Sequence, residues 1–196
     1  MLDFEFIRDN WLYIATGLGA TLGVTLVSLL IAIPLAALIA GGRRSTTLPF
    51  NALSTVYVYL ADGVPLLLQI FFVFLALPQL GIVLSGTWAA IIVLTVYYSA
   101  RLSDLFYRRQ VSLGDIRARD LRSLVPKIAG EYVMMIKDTT LVTGTGFIYD
   151  VYWRAQRVGR AEFKNLEALV IAALIYLIVN TLISYSFRVR KFAGAG

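Results

Sequence analysis

The sequence contains no cysteine and no histidine among its 196 residues. The absence of cysteine excludes disulfides and thiol chemistry, and the absence of both residue types excludes a Cys/His zinc site. A Ser-His-Asp triad is excluded as well. No Walker-type phosphate loop occurs, so any ATP site would lie on another chain. We therefore expect no enzymatic activity, no metal site and no cofactor in this chain.

Charged residues are also scarce, at 15%, whereas 59% of the residues are hydrophobic. Soluble domains contain about 25% charged and about 45–50% apolar residues. A soluble core could not bury this much apolar surface, so the bilayer is expected to be the solvent for most of the chain. Because Asp3, Glu5 and Asp9 make the start acidic, it differs from a signal peptide, and the first apolar segment is expected to remain in the protein.

Runs without charge predict about five transmembrane helices, since about 20 residues cross a bilayer. Turn residues at 77–81 (Leu-Pro-Gln-Leu-Gly) separate the second span from the third. The sequence thus predicts an all-α integral membrane protein with one transmembrane domain over residues 1–196. The predicted spans cover approximately residues 12–40, 51–77, 87–106, 128–147 and 168–187.

The 18 lysines and arginines are distributed unevenly between the two predicted sides. Most fall on the side that holds the loop between the third and fourth spans and the C-terminus. The positive-inside rule then predicts the N-terminus outside and the C-terminus in the cytoplasm. The basic residues of 154–164 are expected in an amphipathic helix on the outer surface. The net charge of +6 fits this arrangement, and no basic face interleaved with aromatic residues indicates nucleic acid.

Four charged residues lie within predicted spans: Asp62, Glu131, Lys137 and Asp138. Each costs about 2.5–3.5 kcal/mol at the middle of a membrane helix. Asp62 and Lys137 have no opposite charge three or four positions away, so they need a partner on another helix or subunit, or contact with water. Alternatives stay open: Asp62 and Glu131 lie at the cytoplasmic ends of their helices, or Lys137 and Asp138 form a structural pair with a neighbouring helix.

The residues around these charges predict broken helices. A kink is expected at 62–65 (Asp-Gly-Val-Pro), since proline removes an amide donor and clashes with the preceding turn. A second break is expected at 138–140 (Asp-Thr-Thr), which offers N-cap residues within a span. Breaks at membrane depth are tolerated where they line a cavity, and they often mark transport sites.

Five short motifs follow one another along nearly the whole chain, and together they are far more specific than any one alone. This series resembles the permease subunits of polar amino acid ABC importers. The motifs are Thr-Gly-Leu-Gly-Ala-Thr-Leu at 16–22, Asp-Gly-Val-Pro-Leu-Leu-Leu-Gln-Ile-Phe-Phe at 62–72, Leu-Pro-Gln-Leu-Gly at 77–81, Lys-Asp-Thr-Thr-Leu-Val at 137–142 and Tyr-Trp-Arg-Ala-Gln at 152–156.

The resemblance implies a multi-pass permease subunit in the inner (plasma) membrane of a prokaryote. It implies a second permease subunit, identical or homologous, which forms the translocation pathway together with this chain. It also implies two cytoplasmic ATPase subunits and an extracytoplasmic solute-binding protein that delivers an amino acid. The substrate-pathway residues that it suggests are Asp62, Gln69, Glu131, Lys137, Asp138, Thr139 and Thr140.

Two departures from the family stand out. Asp62 occupies a position where the family usually has arginine, which reverses the charge. Between Val111 and Leu121 about 20 family residues are missing, and they include the Glu-Ala-Ala motif whose helix docks on the ATPase. The shortened segment leaves these residues for ATPase coupling: Arg109, Asp115, Ile116, Asp120 and Leu121.

Two alternatives follow from these departures and from the buried charges. The chain is either a full partner in ATP coupling or a subunit that depends on a second permease for it. In a different class, it is a subunit of an ATP-independent channel or secondary transporter. Co-purification with an ATPase whose activity an amino acid stimulates would separate these classes.

The predicted topology can be tested with single cysteines, because the chain has none of its own. Cysteines replacing Arg109 and Arg190 should be protected from an impermeant thiol reagent in intact cells, whereas those replacing Asp3 and Arg157 should be labelled. A permeant reagent that labels all four is the control. Labelling of position 109 from outside would contradict the orientation.

Overall fold

The computed structural model describes residues 3–110, 118–143 and 148–193. All regular structure in these ranges is helical and no strand occurs in them, which confirms the predicted all-α class. Two short helical segments in these ranges are of other types: a π-helical stretch, Phe72–Ala76, and a 3₁₀ turn, Leu77–Leu80. The α-helices are α1 Phe4–Ala15, α2 Leu18–Gly42, α3 Leu48–Gly63, α4 Leu66–Phe71, α5 Gly86–Arg108, α6 Ala118–Thr143, α7 Val151–Ala161 and α8 Asn165–Ala193.

The first apolar run forms two helices, whereas the sequence predicted one over residues 12–40. α1 begins with Asp3 as its N-cap, whose Oδ1 accepts hydrogen bonds from the Glu5 and Phe6 amides at 3.1 Å. The break follows at Thr16, whose hydroxyl donates to the Tyr13 carbonyl at 2.6 Å. The backbone of Thr16 and Gly17 keeps right-handed helical angles, and the next α-helix, α2, starts at Leu18.

Close contact between two backbones fixes this break. A Cβ on Gly17 would lie 2.5 Å from the carbonyl carbon of Asp150 and from the amide nitrogen of Val151. Only glycine allows the start of α2 to approach the start of α7 so closely. By contrast, a Cβ on Gly19 or Gly23 would meet nothing within 4 Å.

The predicted kink at 62–65 is present. α3 ends at Gly63, and the segment that starts at Leu66 leaves at an angle of 99°. Pro65 precedes the first residue of α4, where a missing amide proton removes no helical hydrogen bond. The side chain of Gln69 reaches back across the bend, where its Nε2 donates to the carbonyls of Ala61 at 2.7 Å and Val64 at 2.8 Å.

Three helical segments of the described chain are long and apolar enough to cross a membrane: Phe4–Gly42, Gly86–Arg108 and Asn165–Phe187. The bent pair of α3 and Leu66–Leu80 makes a fourth if it is counted as one span. α6 is not among these segments. Its 26 residues are about 39 Å long, enough for a bilayer of about 30 Å, so the fifth span stays a prediction.

The main core lies where α2 packs along α5. Alanines on α2 let the two backbones approach, and two hydrogen bonds cross the interface: Ser28 Oγ donates to the Ile91 carbonyl, and Thr95 Oγ1 donates to the Ser28 carbonyl, both at 3.4 Å. α6 adds buried side chains such as Met135 and Val142 to the same core.

A second core joins α1, α7 and α8. Val151 and Ala155 of α7 are buried, while Arg157 and Arg160 on the same helix are exposed, which confirms the predicted amphipathic helix. Asp150 caps α7, since its Oδ1 accepts from the Trp153 amide at 2.8 Å. Burial raises the pKa of the Asp150 carboxyl. The hydrogen bonds that it accepts, including the one from the Trp153 amide, lower this pKa and so offset part of the effect.

Replacing Gly17 with alanine should destabilise the protein by about 1–3 kcal/mol, because the new methyl group would collide with backbone atoms that no rotamer change can move. The matched control is Gly23→Ala in the same helix, where the site is open and alanine favours helix formation. Thermal unfolding of the two purified variants in detergent checks this. Equal unfolding temperatures for both variants would contradict it.

Candidate substrate path

The predicted pathway residues fall into separate places in the fold. Asp62 and Glu131 meet in a charged cluster between α3, α5 and α6. Asp138 contacts α5, whereas Lys137 and Thr140 line a groove between α6 and α8. The remaining two predicted residues, Gln69 and Thr139, make hydrogen bonds to backbone carbonyls.

Arg101 of α5 links two of the predicted acidic residues. Its Nε lies 2.8 Å from Glu131 Oε2, and its Nη1 lies 3.8 Å from Asp62 Oδ1. Both carboxylates therefore have a partner on another helix. The sequence predicted this for Asp62, which has no opposite charge three or four positions away. The group is half-buried, with 36% of the Arg101 side chain exposed. Six residues line an open cavity of 280 Å³ at this group: Asp62, Arg101, Asp104, Leu105, Arg108 and Glu131.

The sequence did not identify Arg101 as the partner of these carboxylates. The available signal was an arginine well inside the apolar span predicted at 87–106, where an isolated charge is costly. The partner could not be read from spacing, because Glu131 is 30 residues away and on another helix.

Further basic residues hold the end of α2 against the end of α5. Arg43 Nη1 lies 3.4 Å from Asp104 Oδ1, and its guanidinium carbon lies 4.3 Å from the centre of the Tyr107 ring. Arg44 Nη2 donates to the carbonyls of Phe106 and Tyr107, both at 2.6 Å. Cationic side chains satisfy the last carbonyls of α5 and interact favourably with its dipole.

Asp138 has its partner on α5. The hydroxyl of Tyr98 donates to Asp138 Oδ2 at 2.7 Å, and Tyr98 itself is only 1% exposed. The buried ring thus positions its hydroxyl at the carboxylate. Asp138 therefore forms no pair with the neighbouring Lys137, for which no ion pair is found in the part of the chain that the structure describes.

The predicted helix break at 138–140 is wrong, because α6 is continuous to Thr143. The threonine hydroxyls that suggested N-caps donate to carbonyls of their own helix instead. Thr139 Oγ1 donates to Ile136 at 2.7 Å, and Thr140 Oγ1 donates to Lys137 at 2.8 Å. This local bonding satisfies the hydroxyls in an apolar setting without interrupting the helix.

The residues suggested for ATPase coupling cannot be assembled into a site. Arg109 is exposed directly after the end of α5. Asp115 and Ile116 lie outside the described residues. Asp120 and Leu121 belong to the first turn of α6, where only the backbone is described. Their role stays a prediction.

Replacing Tyr98 with phenylalanine should cost about 1–3 kcal/mol of stability, because Asp138 would lose a hydrogen-bond donor in a half-buried setting. Tyr59→Phe is the control, since Tyr59 is 76% exposed. Thermal or denaturant unfolding in detergent measures the difference. If the two variants lose the same stability, the Tyr98–Asp138 hydrogen bond contributes nothing.

Comparison with known proteins finds relatives of one kind, permease proteins, which match nearly the full length of this chain. The chain is 29% identical to the arginine transport system permease protein ArtQ of Bacillus subtilis, over 94% of this chain and 93% of that one. It is 29% identical to the probable glutamine ABC transporter permease protein GlnP of the same organism, over 95% and 97% of the two chains. An L-cystine transport system permease protein, TcyB, of that organism is 24% identical over 93% and 87%.

A solved structure has the same fold. A chain from the crystal structure of an amino acid ABC transporter with histidines superposes with a TM-score of 0.89, at 20% identity, over 98% of this chain and 99% of that one. No family model matches the sequence. The apolar helices are those of a multi-pass membrane protein, and the relatives are permease proteins of transport systems. The predicted resemblance is thereby confirmed: the curated relatives of this chain are permease proteins of amino acid ABC transporters.

Proposed function

We propose that this chain is the membrane-spanning permease subunit of an ATP-driven amino acid importer. The observation that carries the proposal is the correspondence with amino acid permeases, which extends over 93% and 97% of the length of two of them. The alternative of an ATP-independent channel has no support among these relatives. The chain contains no phosphate-binding loop, so ATP is hydrolysed on a separate partner chain.

The charged residues of α6 contribute to the substrate path in this proposal, with Glu131 and Asp138 facing α5 and Lys137 facing α8. Glu131, Lys137 and Asp138 lie on one helix that packs against α2, α5 and α8, and none of them is fully buried. Charged groups at membrane depth face the interior of a bundle or a water-filled cavity. Asp62 and Thr140 extend the path on either side of these residues, while Gln69 and Thr139 support it by bonding to backbone.

The path is completed by a second permease subunit, identical or homologous. Two cytoplasmic ATPase subunits drive the pair, and an extracytoplasmic solute-binding protein delivers the amino acid. The complex lies in the inner (plasma) membrane of a prokaryote, with the N-terminus outside. Support comes from the relatives, which belong to bacterial ABC transport systems, and from the basic residues gathered at the ends of α2 and α5.

Coupling to ATP hydrolysis depends on the second permease in this proposal. Only residues 109–117 connect α5 to α6. The alignment with ArtQ runs over 205 positions, more than the 196 residues of this chain, so the relative has residues without a counterpart here. A short basic segment offers few apolar anchors, and binding energy at interfaces comes mostly from a few well-buried residues.

The test is reconstitution of the tagged chain in liposomes with the subunits that co-purify from its host. ATP-dependent uptake of an amino acid and its stimulation of ATP hydrolysis are expected. Asp138→Asn should reduce uptake about tenfold or more, since a charge in the path is lost, whereas Asp9→Asn, at an exposed site, should not. A complex that neither takes up nor responds to any amino acid would contradict the proposal.

A second preparation, which contains this chain and the ATPase alone, tests the coupling. We expect little amino-acid-stimulated hydrolysis until a second permease is added, because the connecting segment is too short for strong docking. Strong stimulated hydrolysis without another membrane subunit would show that the shortened segment suffices.

A further inference from the structure

The turn between α7 and α8 holds a phenylalanine in a backbone conformation that this residue rarely adopts. Phe163 has a φ of 55°, in the left-handed region that favours glycine. Across the turn the Lys164 amide donates to the Gly159 carbonyl at 2.8 Å, which is the hydrogen bond of a Schellman cap. Glycine usually occupies the position of Phe163 in such a cap, because it has no Cβ to clash. The sequence therefore places a bulky side chain where the fold of the turn favours glycine.

The Phe163 ring contributes little to the packing of the chain itself. It is 91% exposed, more than any other large hydrophobic side chain of the described ranges, and it belongs to neither apolar core. Strained backbone of this kind is concentrated at functional sites, where the strained residue has a contact to make. The contact that accounts for this ring is therefore expected outside the chain.

Two arginines extend the exposed surface from Phe163 along α7. Arg157 and Arg160 are three positions apart, so they lie on one face of the helix, and both are exposed. Neighbours on the same helix hold their guanidinium groups. That of Arg157 lies 5.2 Å from the centre of the Trp153 ring, and Arg160 Nη2 donates to Gln156 Oε1 at 2.6 Å. Neither arginine forms an ion pair with a carboxylate of the described ranges.

The surface is positively charged. Residues 151–164 contain four basic side chains and one acidic side chain, Glu162. Lys164 is compensated by Asp3, since its Nζ lies 3.2 Å from Asp3 Oδ2, whereas the two exposed arginines are not compensated in this way. A partner that covers this surface therefore has to carry negative charge, together with a recess for the Phe163 ring.

The apolar side of α7 favours a protein partner over lipid. A helix that binds a bilayer surface lays its apolar face into the lipid. In α7 this face is already buried against the protein: Val151 and Ala155 belong to the core with α1 and α8, and a Cβ on Gly159 would lie 2.9 Å from the Ala168 Cβ. The side that remains exposed is basic and ends in an aromatic ring, and arginine and aromatic residues are enriched at protein interfaces.

We infer that Arg157, Arg160 and Phe163 form a docking surface for the extracytoplasmic solute-binding protein, through an acidic face of that protein. The inference rests on the proposed function, which supplies the partner, and on the predicted orientation, which places α7 outside. The turn directly precedes Asn165–Phe187, which is long and apolar enough to cross a membrane. Phe163 therefore lies at the edge of the bilayer, where a water-soluble protein has access to it.

The first test measures docking through ATP hydrolysis. The tagged chain, purified from its host with its associated subunits, is placed in nanodiscs, and its solute-binding protein is added at increasing concentration. Arg160→Glu should raise the half-saturating concentration about tenfold, because it opposes like charges, whereas Arg160→Lys should stay near the wild-type value. Arg8→Glu is the matched control, since Arg8 is an exposed arginine of the same predicted side that pairs with Asp9.

Phe163→Gly separates docking from folding, because the two expected effects have opposite signs. Glycine relieves the strain at this position, so the unfolding temperature in detergent should equal or exceed that of the wild type. The half-saturating concentration of the binding protein should nevertheless rise about tenfold or more, because an aromatic anchor is lost. A lower unfolding temperature with unchanged docking would show that the ring has a structural role and would overturn the inference.

A photoreactive phenylalanine analogue, p-benzoylphenylalanine, at position 163 identifies the neighbour in intact cells. We expect a crosslink to the same solute-binding protein that stimulates hydrolysis, and none when the analogue replaces Tyr59, which is exposed on α3. A crosslink to lipid or to the second permease alone, or no crosslink, would overturn the inference.

The outcomes separate this inference from the proposed function. If no binding protein stimulates the wild-type complex, the proposed function is contradicted, and the inference with it. Stimulation of the wild type together with unchanged half-saturating concentrations in Arg160→Glu and Phe163→Gly contradicts the inference alone.

Discussion

The bridge made by Arg101 holds three helices together, because it joins Asp62 of α3 and Glu131 of α6 to α5. Each of these charges would be expensive alone at membrane depth, and removing one member of such a group leaves the others uncompensated. Asp104 continues the network from α5 to Arg43 at the end of α2. The relative positions of four helices are therefore fixed at one end by charge pairing rather than by apolar packing alone.

A second constraint acts on the backbone, since broken helices leave carbonyls that lipid cannot satisfy. Gln69 meets this need at the bend between α3 and α4, where one side-chain amide serves two carbonyls. Arg44 does the same for two carbonyls at the end of α5. Polar side chains near irregular segments thus stabilise the backbone in this fold by donating to its carbonyls. A polar residue in an apolar run therefore does not by itself identify a substrate contact.

The features that depend on local chemistry were predictable from the sequence. The helical class follows from long apolar runs, and the bend at 62–65 follows from a proline beside a glycine and a charge. The break at Thr16 and Gly17 was missed, because it depends on the backbone of Asp150, which is distant in sequence. The break predicted at Thr139 failed because a threonine hydroxyl bonds equally well to its own helix. Partners such as Tyr98 for Asp138 require the tertiary fold.

The close approach at Gly17 has a mechanical consequence. Most contacts between helices pass through side chains, which absorb small displacements by changing rotamer. Here the backbone of one helix start touches the backbone of another, so the contact between α2 and α7 has almost no compliance. The amphipathic helix α7 is thus joined to the first turn of α2 by a contact that leaves the two helix starts little room to shift against each other.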